Sequence, residues 1–327
     1  MIFFVRAKMT ICNVTIPREV QVFQMVTAIP TFILGFLANS TLLVLFFRQR
    51  KNCSDMMVYL ANIALADSTA LVSLPFRMYS YSNHWPFSVS SCLVFVSTYF
   101  VNMYVSIFTT VAISVVRFVA IKYPFKAKAV MSPWKALVVC VGIWAVIASL
   151  SAMFHSVDGP EANASNFRCF QKNSERPLPL SFILTLDVVG YLLPFVVITY
   201  CTANVIRTLS RRIDSSSSAK KNESIHIIAA NLAVFIVCFS PLHFGYLLKF
   251  LAETYWEHNC ELQQFAHSFV HVANSLASTN CFLDAFSYYF LAKASWGTLR
   301  EACCGTQRRE RGNISDGANV ASSQGGG

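Results

Sequence analysis

Seven stretches of this chain are long and apolar enough to cross a membrane. They lie near Val22–Phe47, Asp55–Tyr79, Ser91–Tyr123, Trp134–Phe154, Leu178–Ile206, Ser224–Leu251 and Leu262–Leu291. A hydrocarbon layer of about 30 Å needs roughly 20 residues at 1.5 Å each. Lipid offers no partner to a backbone N–H or C=O, so a spanning segment must satisfy these groups itself, as a helix does. The expected fold class is therefore an all-α membrane protein, a seven-transmembrane helix bundle. Of the 327 residues only 13% are charged, about half the share of a soluble domain. The net charge of +10 would suit nucleic acid if it formed a surface stripe. Here the basic residues stand in short clusters between apolar runs, which excludes that partner.

Those clusters orient the bundle. One side carries Arg48, Arg50 and Lys51, then Arg117, Lys122, Lys126, Lys128 and Lys135. It also carries Arg207, Arg211, Arg212, Lys220 and Lys221, and Lys293, Arg300, Arg308, Arg309 and Arg311 after the last run. The other side holds Arg6, Lys8, Arg18, Arg77, Arg168, Lys172, Arg176 and Lys249. The richer side is expected to face the cytoplasm, which puts the N-terminus outside. The chain then divides into an extracellular segment 1–21, a helical domain 22–302 and a polar, Gly/Ser-rich tail 303–327 expected to be disordered. Residues 1–20 carry Arg6, Lys8, Arg18 and Glu19 without an apolar core, so the first span is expected to serve as insertion signal. The sequons at Asn13 and Asn163 fall on the outer side, where glycans are added. Leu291–Ala302 reads as a short amphipathic cytoplasmic helix, and Cys303 and Cys304 behind it are candidates for palmitoylation.

Polar residues inside the runs are costly and mark function. A carboxylate at the middle of a span costs roughly 3 kcal/mol on insertion scales. Asp67 is such a residue. Asn102 and Ser106 stand one turn apart on the third run, Asn280 and Asp284 one turn apart on the seventh. Oxygen donors of this kind suit a small hard cation such as sodium, or else a polar network with waters. Toward the outer end the runs bring cations and aromatics. Arg77 follows Leu74-Pro-Phe76 in the second, and Arg168 and Lys172 flank Cys169. Lys249 near the end of the sixth either joins a binding site or snorkels to the interface. His243, His267 and His271 add charge that can switch. The aromatic walls are Tyr79, Tyr99, Phe100, Tyr104, Tyr191, Phe239 and Tyr246, with Met103 and Asn274 beside them. Tyr99 stands where an amine ligand would need an acid. Cationic ends between apolar walls suit an anionic amphiphile, its phosphate on Arg or Lys and its tail on the aromatics.

Taken in chain order, several motifs carry a resemblance. They are Gly35-Phe-Leu-Ala-Asn39, Leu65-Ala-Asp67, Trp144, Pro194, Phe235-Ile-Val-Cys238-Phe239-Ser-Pro241 and Asn280-Cys-Phe-Leu-Asp284-Ala-Phe-Ser-Tyr288. The set resembles the rhodopsin-like family of G-protein-coupled receptors over roughly residues 22–302. The runs Tyr99-Phe-Val-Asn-Met-Tyr104, Arg117-Phe-Val-Ala-Ile-Lys-Tyr-Pro124 and Ile228-Ala-Ala-Asn-Leu-Ala-Val-Phe235 look like the purinergic-like and lipid branch, and within it the receptors for lysophosphatidylinositol. The resemblance implies a Cys92–Cys169 bridge, a second bridge Cys12–Cys260, a switch set of Arg117, Phe235, Pro241 and Tyr288, and an allosteric sodium ion. It implies a lysophospholipid ligand, a Rho-activating heterotrimeric G protein and arrestin as partners, a plasma-membrane location and no enzymatic activity. Within the same branch the alternative ligands are nucleotides and aromatic acids.

The chain departs from the family at three points. Val116 replaces the acid that usually precedes Arg117, which implies a looser resting state. Ala285 replaces the proline after Asp284, and Phe239 stands where many members have Trp. The rival class, an ion transporter or channel, would explain Asp67 and Asp284 as an ion path, but it calls for internal repeats. An intramembrane enzyme would need a nucleophile beside a base, or metal-spaced His and Cys on facing helices.

Overall fold

The computed structural model describes residues 12, 14–49, 54–157, 169–170, 179–211 and 218–285. The described residues are almost entirely α-helical. They form α1 (Arg18–Gln49), α2 (Asp55–Ser82), α3 (Val89–Lys122), α4 (Pro124–Val130), α5 (Pro133–Val157), α6 (Leu180–Leu184), α7 (Leu193–Arg211), α8 (Ser218–Tyr255) and α9 (Cys260–Ser278). A π-helical stretch, Thr185–Leu192, joins α6 to α7, so the fifth apolar run is one continuous rod with a wider turn inside it. Six of these rods are long and apolar enough to span a membrane. The seventh apolar run becomes α9, then a turn at Thr279, then helix again over 280–285. The amphipathic stretch 291–302 and the tail lie outside the described residues.

The helix ends follow local chemistry. The Ser54 hydroxyl accepts from the Met57 N–H at 3.3 Å, and Ser88 accepts from Ser91 in the same way at the start of α3. Asn259 does so for Leu262 at 3.0 Å. Each cap satisfies a donor that the first turn leaves open. Pro124 begins α4, where its missing N–H costs nothing. Pro241 lies within α8, so the carbonyl of Val237 loses its helical partner there.

The rods close into a ring. α1 packs on α2, α2 on α3 and α5, α3 on α5 and α7, α7 on α8, α8 on α9, and α9 back on α1. α3 runs through the middle and buries Tyr99, Asn102, Met103, Tyr104 and Ser106. Outward faces are apolar: Val26, Leu37, Val72, Val141, Val196 and Val237 are exposed. Inward faces hold Gln24, Asn39, Asn62, Asp67, Arg77, Asn280 and Asp284, all buried. This inverts a water-soluble protein and is the arrangement a lipid solvent selects.

Polar side chains bind the rods together. Trp144 donates to Asn62 at 3.0 Å and Asn62 donates to Thr109 at 2.8 Å, joining α5, α2 and α3. Asn39 donates to the Cys281 carbonyl at 2.7 Å. Gly35 lets α1 approach α2, since a Cβ there would stand 2.9 Å from Leu71. Cys92 in the first turn of α3 is bonded to Cys169, and Cys12 to Cys260 at the start of α9. Thr15 and Gln264 add a two-way hydrogen bond beside the second bridge. Under the first bridge, Trp85 stacks edge-on with Phe95 and donates to the Ser88 carbonyl.

Candidate functional site

Arg77 is the centre of the site. It lies in the last turns of α2 and is 4% exposed. Its Nη1 donates to the Ser278 hydroxyl at 3.3 Å, and its guanidinium lies 4.7 Å from the Tyr99 ring centroid and 6.0 Å from that of Tyr81. No carboxylate pairs with it among the described residues. A buried cation without a counter-charge costs several kcal/mol, and a desolvated aromatic face returns about 2 of them. An anion reaching this point would therefore be bound strongly.

The surroundings come from four helices, α1, α3, α8 and α9. The Tyr99 hydroxyl donates to the Asn274 carbonyl at 3.3 Å and stands 3.3 Å from the Ser278 hydroxyl. Gln24 of α1 lies 3.3 Å from His271 Nδ1, and the His267 and His271 rings meet at 4.7 Å. Phe100 and Tyr246 face each other at 6.4 Å, and Met103 and Phe239 complete the apolar wall. Arg77, Tyr99, Phe100, Met103, Phe239, Tyr246, His271 and Asn274 thus belong to one inward-facing region, with His243 on its far side.

One expectation needs correction. Tyr79 is 45% exposed and faces away from the bundle. Its place is taken by Tyr81, four residues from Arg77 and so on the same helical face, whereas a residue two positions away is not. Lys249, for which a binding role and snorkelling both stand open, pairs with Glu253 one turn along α8 at 3.7 Å. Arg168 and Lys172 lie outside the described residues, as do Tyr288, Asn13, Asn163, Cys303 and Cys304.

Deeper in the bundle is a second cluster. Asp284 accepts from Asn280 at 2.8 Å and from Ser106 at 3.4 Å. Asp67 is buried within electrostatic reach of Asp284. One oxygen of Asp67 and the amide oxygen of Asn102 have no hydrogen-bond partner. Among the described residues no group of three His, Cys, Asp or Glu side chains is placed to hold a metal ion. Two carboxylates with neutral oxygens are instead the donor set of a small hard cation.

Toward the other end Arg117 lines a cavity of about 20 Å³ with Thr110, Ser114, Thr202 and Asn231, enough for a water. Val116 packs against the apolar group of Tyr59, Leu60, Ile63 and Ile113. Phe235 and Phe239 meet at a tilt within α8, their rings 5.4 Å apart, in the turns that lead into Pro241.

Asp187 is the residue that the sequence reading passed over. It lies in the π-helical stretch and its carboxylate stands 3.2 Å from His243 Nδ1. Tyr191 stacks on His243 at 4.8 Å and shares a hydrogen bond with Ser240. The signal was available: an acid within an apolar run, seven residues before Pro194.

The model of the seven-transmembrane receptor (rhodopsin family) matches residues 38–288. The chain is 34% identical to human G-protein coupled receptor 55 over 275 residues, 83% of this chain and 85% of that one. It is 31% identical to mouse lysophosphatidic acid receptor 4 over 264 residues, 79% and 71% of the two chains. It is 30% identical to mouse G-protein coupled receptor 35 over 290 residues, 87% and 90%. These relatives are receptors, not enzymes.

Proposed function

This chain belongs to the rhodopsin family of seven-transmembrane receptors, and we propose that it recognises an anionic lysophospholipid of the lysophosphatidylinositol type and activates a Rho-coupled heterotrimeric G protein. The observation that carries this reading is Arg77, a buried guanidinium with no carboxylate partner, set against Tyr99 and Tyr81 and continuous with apolar walls. The lipid phosphate meets Arg77 and the acyl chain packs near Tyr99, Met103 and Phe239. Two of the relatives' own names, lysophosphatidic acid receptors 4 and 6, point to the same ligand class. The N-terminus faces outward, because Lys and Arg gather at the opposite end. Glycans at Asn13 and Asn163, palmitate at Cys303 and Cys304, and arrestin as a second partner belong to the same reading.

Signalling is a shift of population between two packings of the bundle. The ligand binds the packing in which α8 has swung about Pro241, and a cleft opens beside Arg117 for the G protein. A sodium ion held by Asp67, Asn102, Ser106, Asn280 and Asp284 favours the resting packing. Raising sodium chloride in place of choline chloride should then lower agonist potency about fivefold or more. In Asp67→Asn the potency should not respond to sodium. A dependence unchanged in the variant would remove the ion from the scheme.

The direct test measures Rho-pathway activation in cells given lysophosphatidylinositol, comparing wild type with Arg77→Ala at equal surface expression. Leaving a buried ligand anion unpaired costs about 3–5 kcal/mol, so a potency loss of at least about 100-fold is expected. A variant that responds as well as wild type overturns Arg77 as the anchor, and a silent wild type overturns the lipid reading. Nucleotides and aromatic acids would then be tested on the same cells, since Arg77 suits any anion carried on an apolar body.

A further inference from the structure

The pair formed by Asp187 and His243 has three open polar atoms around it. The second carboxylate oxygen of Asp187, Nε2 of His243 and the Tyr104 hydroxyl all lack a hydrogen-bond partner. His243 is 2% exposed and Tyr104 is 7% exposed. Their rings lie 6.1 Å apart, edge to face, and Tyr104 is within electrostatic reach of Asp187. These three open groups come from α3, α8 and the π-helical stretch, and each costs about 1–3 kcal/mol while it stays unpaired.

The local backbone holds the trio together. A Cβ at Gly190 would stand 2.5 Å from Tyr104 Cε1, so the ring rests on bare backbone. Tyr191, stacked on His243, fixes the imidazole from the other side. The trio also connects to the anion site. Tyr246 is within electrostatic reach of both Arg77 and Asp187. Tyr104 stands five residues from Tyr99 on α3, roughly 7.5 Å along the axis.

We propose that Asp187, His243 and Tyr104 form a hydroxyl-recognition subsite, which takes a vicinal diol on the polyol headgroup of the ligand whose phosphate binds Arg77. The proposal rests on the lipid reading given above. The Asp187 carboxylate only accepts, so His243 carries its proton on Nδ1 and Nε2 is left as an acceptor. The two hydroxyls of a diol can donate to Nε2 and to the second carboxylate oxygen and accept from the phenol.

The test compares lysophosphatidylinositol, which carries a polyol, with lysophosphatidic acid, which ends at the phosphate, in the same Rho assay at matched surface expression. Wild type is expected to prefer the polyol lipid. Tyr104→Phe removes one oxygen, keeps the ring on Gly190 and should lower lysophosphatidylinositol potency about tenfold. Asp187→Asn should lower it about 10- to 100-fold. Lysophosphatidic acid potency should stay within about threefold in both variants, while Arg77→Ala lowers both lipids. Equal losses for the two lipids, or no loss in Tyr104→Phe, would overturn the subsite and leave the lipid reading standing. A wild type silent to both lipids would overturn the lipid reading and the subsite with it.

Discussion

Arg77→Met is expected to melt at a higher temperature than wild type when both are free of ligand, while losing the lipid response. The reasoning begins with burial. The guanidinium is 4% exposed and its hydrogen-bond partner is a neutral hydroxyl. Exchanging buried charge for a well-packed apolar side chain is commonly neutral or stabilising by about 1–4 kcal/mol. Methionine fills the same elongated space beside Tyr81 and Tyr99 and bends to irregular gaps. A rise of several degrees in the thermal unfolding of detergent-purified receptor is the expected reading. A marked fall in melting temperature would mean that the rings and Ser278 fully compensate the charge, and Arg77 would then be a structural residue. The outcome separates a site that gives up stability for ligand affinity from one that is merely well packed.

Cys92→Ser is expected to have the other large effect. The bridge fixes the first turn of α3 to Cys169, and Trp85, Phe76 and Phe95 pack against it. Removing a native bridge typically costs about 2–5 kcal/mol. Surface labelling should fall severalfold, and the fraction that reaches the surface should unfold at a lower temperature. Cys12→Ser should do less to the bundle core, because its bridge holds the N-terminal segment to α9 rather than anchoring α3. Equal surface levels and melting temperatures for Cys92→Ser and wild type would show that the aromatic cluster holds this corner unaided.

The spans were legible because lipid imposes a length and a composition that no other fold requires. Asp67 and Asp284 were legible because a carboxylate is conspicuous in an apolar run. Tyr81 was not, because the position at the end of the second run depends on helical phase, and Tyr79 carries the same side chain two residues earlier. The tie between Lys249 and Glu253 is an ordinary one-turn pair that the sequence shows once both residues are placed on α8. The Asp187–His243 pair was hidden for a different reason. A π-helical turn shifts the register of everything before it, so the direction of Asp187 does not follow from its distance to Pro194. Its partner lies 56 residues away on another helix, and no pattern within one helix joins them.

The bond between Cys12 and Cys260 spans 248 positions of sequence. It turns most of the receptor into a covalent loop that enters α1 and returns at the head of α9. A single cut anywhere between these two cysteines opens the loop without dividing the molecule. A receptor nicked once in a connecting segment stays one body until it is reduced, and its two fragments cannot drift apart in the bilayer. The chain therefore has a tether at this end of the bundle that backs up the packing of the helices, and backbone continuity between neighbouring helices is not the sole guarantee of their association.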